Sequence, residues 1–277
     1  MEKYKIVADS AANLIDLTDV AFASVPLSIQ ADEIQYLDTP DLDVDQMIQA
    51  LQNYKGTSST ACPNIHQWCE AFAGAEVVFA VTLTSALSGS YSSALQAKEI
   101  YQEEHPETKI YVIDSLSAGP EMTLLLEKIA ELIKQGLSPE EIVDQVQKYQ
   151  QHTHLLFSLE SLENLANNGR ISHTMATFAH MFKIRVIGMA SAKGELDPVG
   201  KARGEKKAFS LLLKTMEEKG FKGHKVRLVH CQNQAGALAL QEKILEAHPT
   251  SQITITKSRG LCSYYAEQGG IMIGFEA

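Results

Sequence analysis

Basic charge is scarce in this chain. Its 24 lysines and arginines stand against 34 aspartates and glutamates, a formal net charge of −10. The basic residues cluster no more closely than Lys201, Arg203, Lys206 and Lys207. Binding a phosphate backbone needs a basic stripe, so nucleic acid is excluded as a partner. Cysteine is sparse as well. Cys62, Cys69, Cys231 and Cys262 form neither a CxxC pair nor a zinc spacing and read as reduced, packed thiols. His152 and His154 alternate on an expected strand, and His173 and His180 stand seven apart on an expected helix. Neither pair has acids or thiols at a ligand spacing, so no metal is expected. No apolar run approaches the roughly 18 residues of a membrane span, and the N-terminus lacks the apolar core of a signal peptide. A cytoplasmic chain is the expectation.

Two catalytic signatures are also missing. Ser88 is followed by Gly89 but has Ala86 two places before it, so there is no GxSxG elbow. There is no GxxxxGK[ST] phosphate loop either. Binding is therefore better supported than catalysis, and no catalytic residue is assigned.

What the chain does have is the stretch VVFAVTLTSALSGSYSSALQAKEIY, residues 77 to 101. Val77 to Leu83 has the continuous apolar character of a strand buried on both faces of a parallel sheet. Thr82, Thr84, Ser85, Ser88, Ser90, Ser92 and Ser93 then bring seven hydroxyls into twelve residues, with Gly89 among them. A strand ending in such a turn and opening a helix directs free N–H groups, hydroxyls and the positive end of the helix dipole at one point. That point suits a carboxylate or a phosphate, although Ser and Thr also simply cap helices. Gly56 to Pro63, GTSSTACP, reads as a second hydroxyl-rich loop, either a linker with a cap or a second wall of the same site.

The first half alternates strand and helix, which predicts a parallel sheet covered on both faces. KYKIVA is its first strand, and Asp9-Ser10 at its end read first as a plain turn and helix cap, or else as part of a site at the edge where ligands collect. Val20 to Ile29, broken by Pro26, reads as an edge strand. The acidic turn YLDTPDLDVD reads as solvated surface in which Asp43 caps a helix. Pro63 is placed to start the helix NIHQWCEAF, and Ser138-Pro139-Glu140-Glu141 opens another as a capping box. After His152 the rhythm changes. HLLFSL is a strand and ESLENLANN a short helix stopped at Gly169, with Arg170 in the exit turn and the helix HTMATFAHMF after it. Two strands then meet at the turn 192–194, and three more strands surround a last helix. Length suggests two domains, with a boundary near residue 150.

In this order IVADSAANL, VPLSI with YLD, the Ser58-Ser59 loop, TSALSGSYSSA, VIDSLSAG, LENLANNGRIS and KARGEKKAF resemble the motifs of the DegV family. These are bacterial lipid-binding proteins that include the fatty acid binding subunit of fatty acid kinase. The resemblance implies two α/β domains, an N-terminal parallel-sheet domain over 1–150 and a C-terminal mixed-sheet domain over 151–277. One acyl chain is enclosed between them. It implies a non-catalytic carrier with no cofactor beyond its bound long-chain fatty acid, a fatty acid kinase subunit as partner, and transient contact with a membrane surface. Matched motif by motif, Ser58, Ser59, Ser88 and Gly89 fall at the carboxyl end of the ligand. Arg170 falls near the mouth and Arg203 near the surface that meets the kinase. The plainer fate of these arginines is an ion pair with Glu163 or Glu205. The family's His-x-Gly-Pro-Gly segment is altered, because SYYAEQGGIMIGF places Tyr265 at the histidine position and Gln268 at the proline. A tyrosine donates one hydrogen bond but stays neutral. The competing reading is an enzyme acting on a phosphorylated small molecule, with the same turn as its phosphate site.

Overall fold

The computed structural model describes residues 2–171 and 184–277. The expected helix HTMATFAHMF, with His173 and His180, lies outside the described residues. The first strand, β1 (Glu2–Asp9), pairs in parallel with β2 (Ala21–Val25) and β6 (Ala75–Thr82), and β6 pairs in parallel with β7 (Lys109–Asp114), giving the order β2-β1-β6-β7. The apolar run of β6 is buried from Val77 onward, as a central parallel strand requires. Phe79 stacks between Tyr4 and Tyr111 of the flanking strands, with ring centroids 6.3 and 5.6 Å apart.

The segment 20–29 is two strands and not one. Pro26 removes a ladder donor and turns the chain, so β3 (Ser28–Ala31) leaves the parallel sheet for a small antiparallel one. There it pairs with β4 (Ile34–Leu37) and β5 (Ser58–Ala61). The helix α1 (Val44–Asn53) lies between those last two strands and is capped by Asp43, whose carboxylate accepts from Gln46 N–H at 2.9 Å. Half of the second hydroxyl-rich segment, Ser58–Ala61, is thus strand. Asn64, not Pro63, starts the next helix, α2 (Ile65–Phe72), through a reciprocal capping box with Gln67. The long helix α3 (Ser90–Glu104) follows β6, and α4 (Pro120–Lys134) follows β7. The capping box at Ser138 opens α5 (Pro139–Gln150) as the sequence predicts.

After α5 the chain builds a mixed six-stranded sheet from β8 (Thr153–Leu159), β9 (Ile184–Ala190), β10 (Leu196–Arg203), β11 (Lys225–His230), β12 (Gln252–Lys257) and β13 (Ile271–Glu276). Their order is β10-β9-β8-β13-β11-β12. Among the described residues the helices here are α6 (Glu163–Asn167), α7 (Glu205–Glu218), α8 (Gln234–Ala247) and α9 (Gly260–Ala266). The two larger sheets share α4, which touches β1 and β6 on one side and β8, β11 and β13 on the other. Its start is packed so closely that a Cβ at Gly274 would stand 2.5 Å from the Pro120 carbonyl carbon.

Glu121, in the first turn of α4, is buried and accepts from the hydroxyls of Ser117 at 2.5 Å and Thr153 at 2.8 Å. Burial pushes its carboxyl group up to about 7, and the two hydroxyls pull only partly against that. The folded chain therefore holds a proton that the unfolded chain releases near pH 4.5. The associated stability is fully present below that pH and is lost as pH rises through about 7. Melting curves at pH 5 and pH 8 should differ by about 3 kcal/mol from this group, or about 5 °C. Glu121→Gln should remove that part of the slope, and an unaltered slope would show that Glu121 is not the titrating group.

Candidate functional site

A cavity of about 280 Å³ lies between the four-stranded and six-stranded sheets. Alternate inward residues of β8, Leu155, Phe157 and Leu159, form one wall with Met272 of β13. Ala11, Leu27, Leu83 and Leu87 form the wall on the side of the parallel sheet, and Leu261, Cys262 and Ala266 of α9 close another. Protein interiors are close-packed, with few voids larger than a water molecule. A space of this size, so lined, suits a long apolar ligand.

The polar lining is confined to few groups: Thr60, Ser88, Arg170 and Tyr265, together with Gly89 and Cys62. The Thr60 Oγ1 and Tyr265 phenol oxygen are 2.7 Å apart, and Arg170 hydrogen-bonds the same phenol. Burial pushes the Tyr265 phenol above its ordinary value, against the pull of Thr60 and the Arg170 charge, so the phenol keeps its proton. Ser88 Oγ accepts from Ser90 N–H at 3.2 Å, which leaves its own O–H to donate elsewhere. Among the described residues no acceptor meets the Gly89 N–H. Two neutral donors, a backbone N–H and one guanidinium thus share one end of an apolar cavity. Such a set can hold a carboxylate by charge-assisted hydrogen bonds.

The residues expected from sequence are distributed unevenly over this site. Ser88, Gly89, Tyr265 and Arg170 line the cavity. Ser58 and Ser59 do not. The period of two along β5 turns Ser58 and Thr60 toward α9 and leaves Ser59 exposed on the other side, paired through its backbone with Gln30. Ser58 Oγ is 2.8 Å from the Tyr264 hydroxyl, which also accepts from Asn168 Nδ2 at 2.9 Å. It serves the scaffold next to the cavity, while Thr60 is the loop hydroxyl that reaches it. Arg203 is exposed at the end of β10 and away from the lining. Neither arginine has its plainer partner: Glu205 is bound by Arg185 at 2.7 Å, and no carboxylate pairs with Arg170 among the described residues.

The acids of YLDTPDLDVD are not all solvated surface. Asp38 is 1 % exposed and accepts from Gly260 N–H at 2.9 Å and Leu261 N–H at 3.0 Å. It caps α9, the helix that carries Tyr264 and Tyr265. Asp9 is not a helix cap either: its fully buried carboxylate faces the hydroxyl-rich turn. Among the described residues no group of three or more His, Cys, Asp or Glu side chains is placed to hold a metal ion, and no helix is long and apolar enough to cross a membrane. The four cysteines are free thiols.

A DegV domain-containing protein of Streptococcus pneumoniae is 43% identical to the chain over 277 residues, covering 99% of each. Two solved structures superpose with a TM-score of 0.96 at 42% identity over 99% of both chains: a DegV family protein from Eubacterium eligens loaded with heptadecanoic acid, and the Streptococcus pneumoniae Fatty Acid Kinase B3 protein loaded with linoleic acid. The family described as "Uncharacterised protein, DegV family" matches residues 3–277. On its sequence, its architecture and these likenesses, the chain belongs to the DegV family.

Proposed function

We propose that this protein binds one long-chain fatty acid in the cavity between its sheets and presents the carboxyl group to a fatty acid kinase subunit. The observation that carries the reading is the cavity itself, about 280 Å³, apolar along its length and provided with clustered donors only at the end formed by Thr60, Ser88, Gly89, Arg170 and Tyr265. The fatty acids held by the Eubacterium eligens and Streptococcus pneumoniae proteins support it. Each buried methylene contributes about 0.8 kcal/mol, so a sixteen-carbon tail offers roughly 12 kcal/mol before ordering costs. The tail supplies affinity. The head group fixes direction, and its desolvation is offset by the donors around it.

In this reading the chain is a carrier and not a catalyst. It acts in the cytoplasm, its phosphoryl donor sits on the partner, and transient contact with a membrane surface supplies the lipid. Arg203, exposed at the end of β10, faces the kinase subunit. The replacement of the family histidine by Tyr265 makes Arg170 the cation nearest the head group. A phosphorylated small molecule would need polar contacts along its whole length, which this lining does not offer.

Solvent extraction of the purified protein followed by mass spectrometry is expected to recover fatty acid at close to one per chain. If none is recovered and added palmitate does not bind, the function is not fatty acid carriage.

A further inference from the structure

Asp9 is 0 % exposed at the end of β1, and its Oδ2 does two things at once. It accepts from Leu83 N–H at 2.8 Å and from the Ser90 hydroxyl at 2.6 Å. Leu83 is the first residue after β6 and Ser90 the first of α3. One oxygen atom therefore ties together both ends of the hydroxyl-rich turn. The other anchors act elsewhere: Thr84 N–H donates to Ser117 O at 2.8 Å and Ser85 N–H to the Asp114 carboxylate, both in the first half of the turn. Toward the helix end the Ser90 side chain rests on Asp9, and the Ser90 N–H in turn holds Ser88 Oγ.

The second carboxylate oxygen, Oδ1, is buried and makes no well-formed hydrogen bond among the described residues, the Ala11 N–H being the donor that faces it. Burial with no counter-charge costs free energy and pushes this carboxyl group up to about 7, so it is not placed for stability alone. The titratable groups facing it are Asp38 and the Cys262 thiol, neither of which is a cation that would pair with it.

The geometry points to Asp9 as a positioning residue for ligand recognition. By fixing Ser90 it holds the Ser88 hydroxyl and the Gly89 N–H in register with the head group, without itself touching the ligand. This rests on the fatty acid reading above. It adds that selectivity for a carboxylate head is set from behind the turn, by a residue absent from the cavity lining.

The test compares palmitic acid with hexadecanol, which has the same tail and no charge, by displacement of a fluorescent fatty acid from wild type, Asp9→Asn, Ser90→Ala and Ser88→Ala. Asp9→Asn keeps the shape of the side chain but exchanges one acceptor for a donor. It is expected to weaken palmitate about tenfold, the size of one lost charge-assisted hydrogen bond, and to leave hexadecanol within about twofold. Ser90→Ala keeps the Leu83 bond and should show the same loss of preference to a smaller degree, so the proposal can be read even where Asp9→Asn fails to fold. A preference that is lost in Ser88→Ala but unchanged in Asp9→Asn and Ser90→Ala overturns the role of Asp9 and leaves the fatty acid reading standing. Equal weakening of both ligands in the Asp9 and Ser90 variants overturns it too, as a purely structural effect. If Ser88→Ala also keeps the preference, the turn does not read the head group and the assignment of the site falls with the inference.

Discussion

Asp38→Ala is expected to destabilise the protein by about 3–5 kcal/mol, the cost of leaving buried partners of a carboxylate unpaired. The carboxylate receives the Gly260 and Leu261 N–H groups, and the buried Arg259 guanidinium stands 3.6 Å from Oδ1 while donating to the Asp38 carbonyl at 3.2 Å. Alanine would leave two amides without acceptors and the buried guanidinium without its counter-charge, while the Asp38 carbonyl would still accept from Arg259. The approach is so close that a Cβ at Gly260 would lie 2.7 Å from Asp38 Oδ1, which is why glycine stands there. Denaturant unfolding of the variant should give a markedly lower midpoint. Since α9 starts at this cap and carries Tyr265, the surviving folded fraction should also bind fatty acid weakly. A midpoint within experimental error of wild type would show that Asn13, which accepts from Arg259 N–H at 2.6 Å, is sufficient to hold the helix.

Ala118→Trp should abolish binding of long-chain fatty acids while leaving the fold intact. Ala118 lines the cavity at the turn before α4, so an indole placed there enters space that the protein leaves open. On the fatty acid reading it occupies the path of the tail. Overpacking a filled core is destabilising, but filling a void is not. Affinity for palmitate is expected to fall by more than about 1000-fold, roughly 4 kcal/mol of the 12 that the tail can supply. Titration of wild type and variant with palmitate, beside their melting curves, checks both halves of the statement. Retained tight binding would place the tail elsewhere in the molecule.

Much of the architecture was legible because its signals are local. The apolar run of β6, the capping boxes and the strand–helix alternation are written within a few residues of where they act. The small sheet was not legible, because Ser58–Ala61 has the composition of a loop and becomes a strand only by pairing with Ser28–Ala31. Sequence could not choose between Ser59 and Thr60 either. A shift of one residue in a strand exchanges its two faces, and the partner that decides, Tyr265, lies about 200 residues away. The helix α9 was missed for a related reason: buried on nearly every side, GLCSYYA shows no amphipathic period. Its cap comes from Asp38, whose neighbours in sequence are surface acids. Asp9 likewise reads as an ordinary turn residue until β1 and β6 are set side by side.

The shared helix α4 has a mechanical consequence. With β1 and β6 on one flank and β8, β11 and β13 on the other, it acts as a rivet between the two sheets. Swinging the halves apart as a clamshell would have to separate Gly274 from the backbone of Pro120, against which it packs too closely for a Cβ. On the fatty acid reading, loading and unloading then go as through a door, by local displacement of lining residues such as Thr60, Cys62, Gly89 and Arg170, while the frame stays shut.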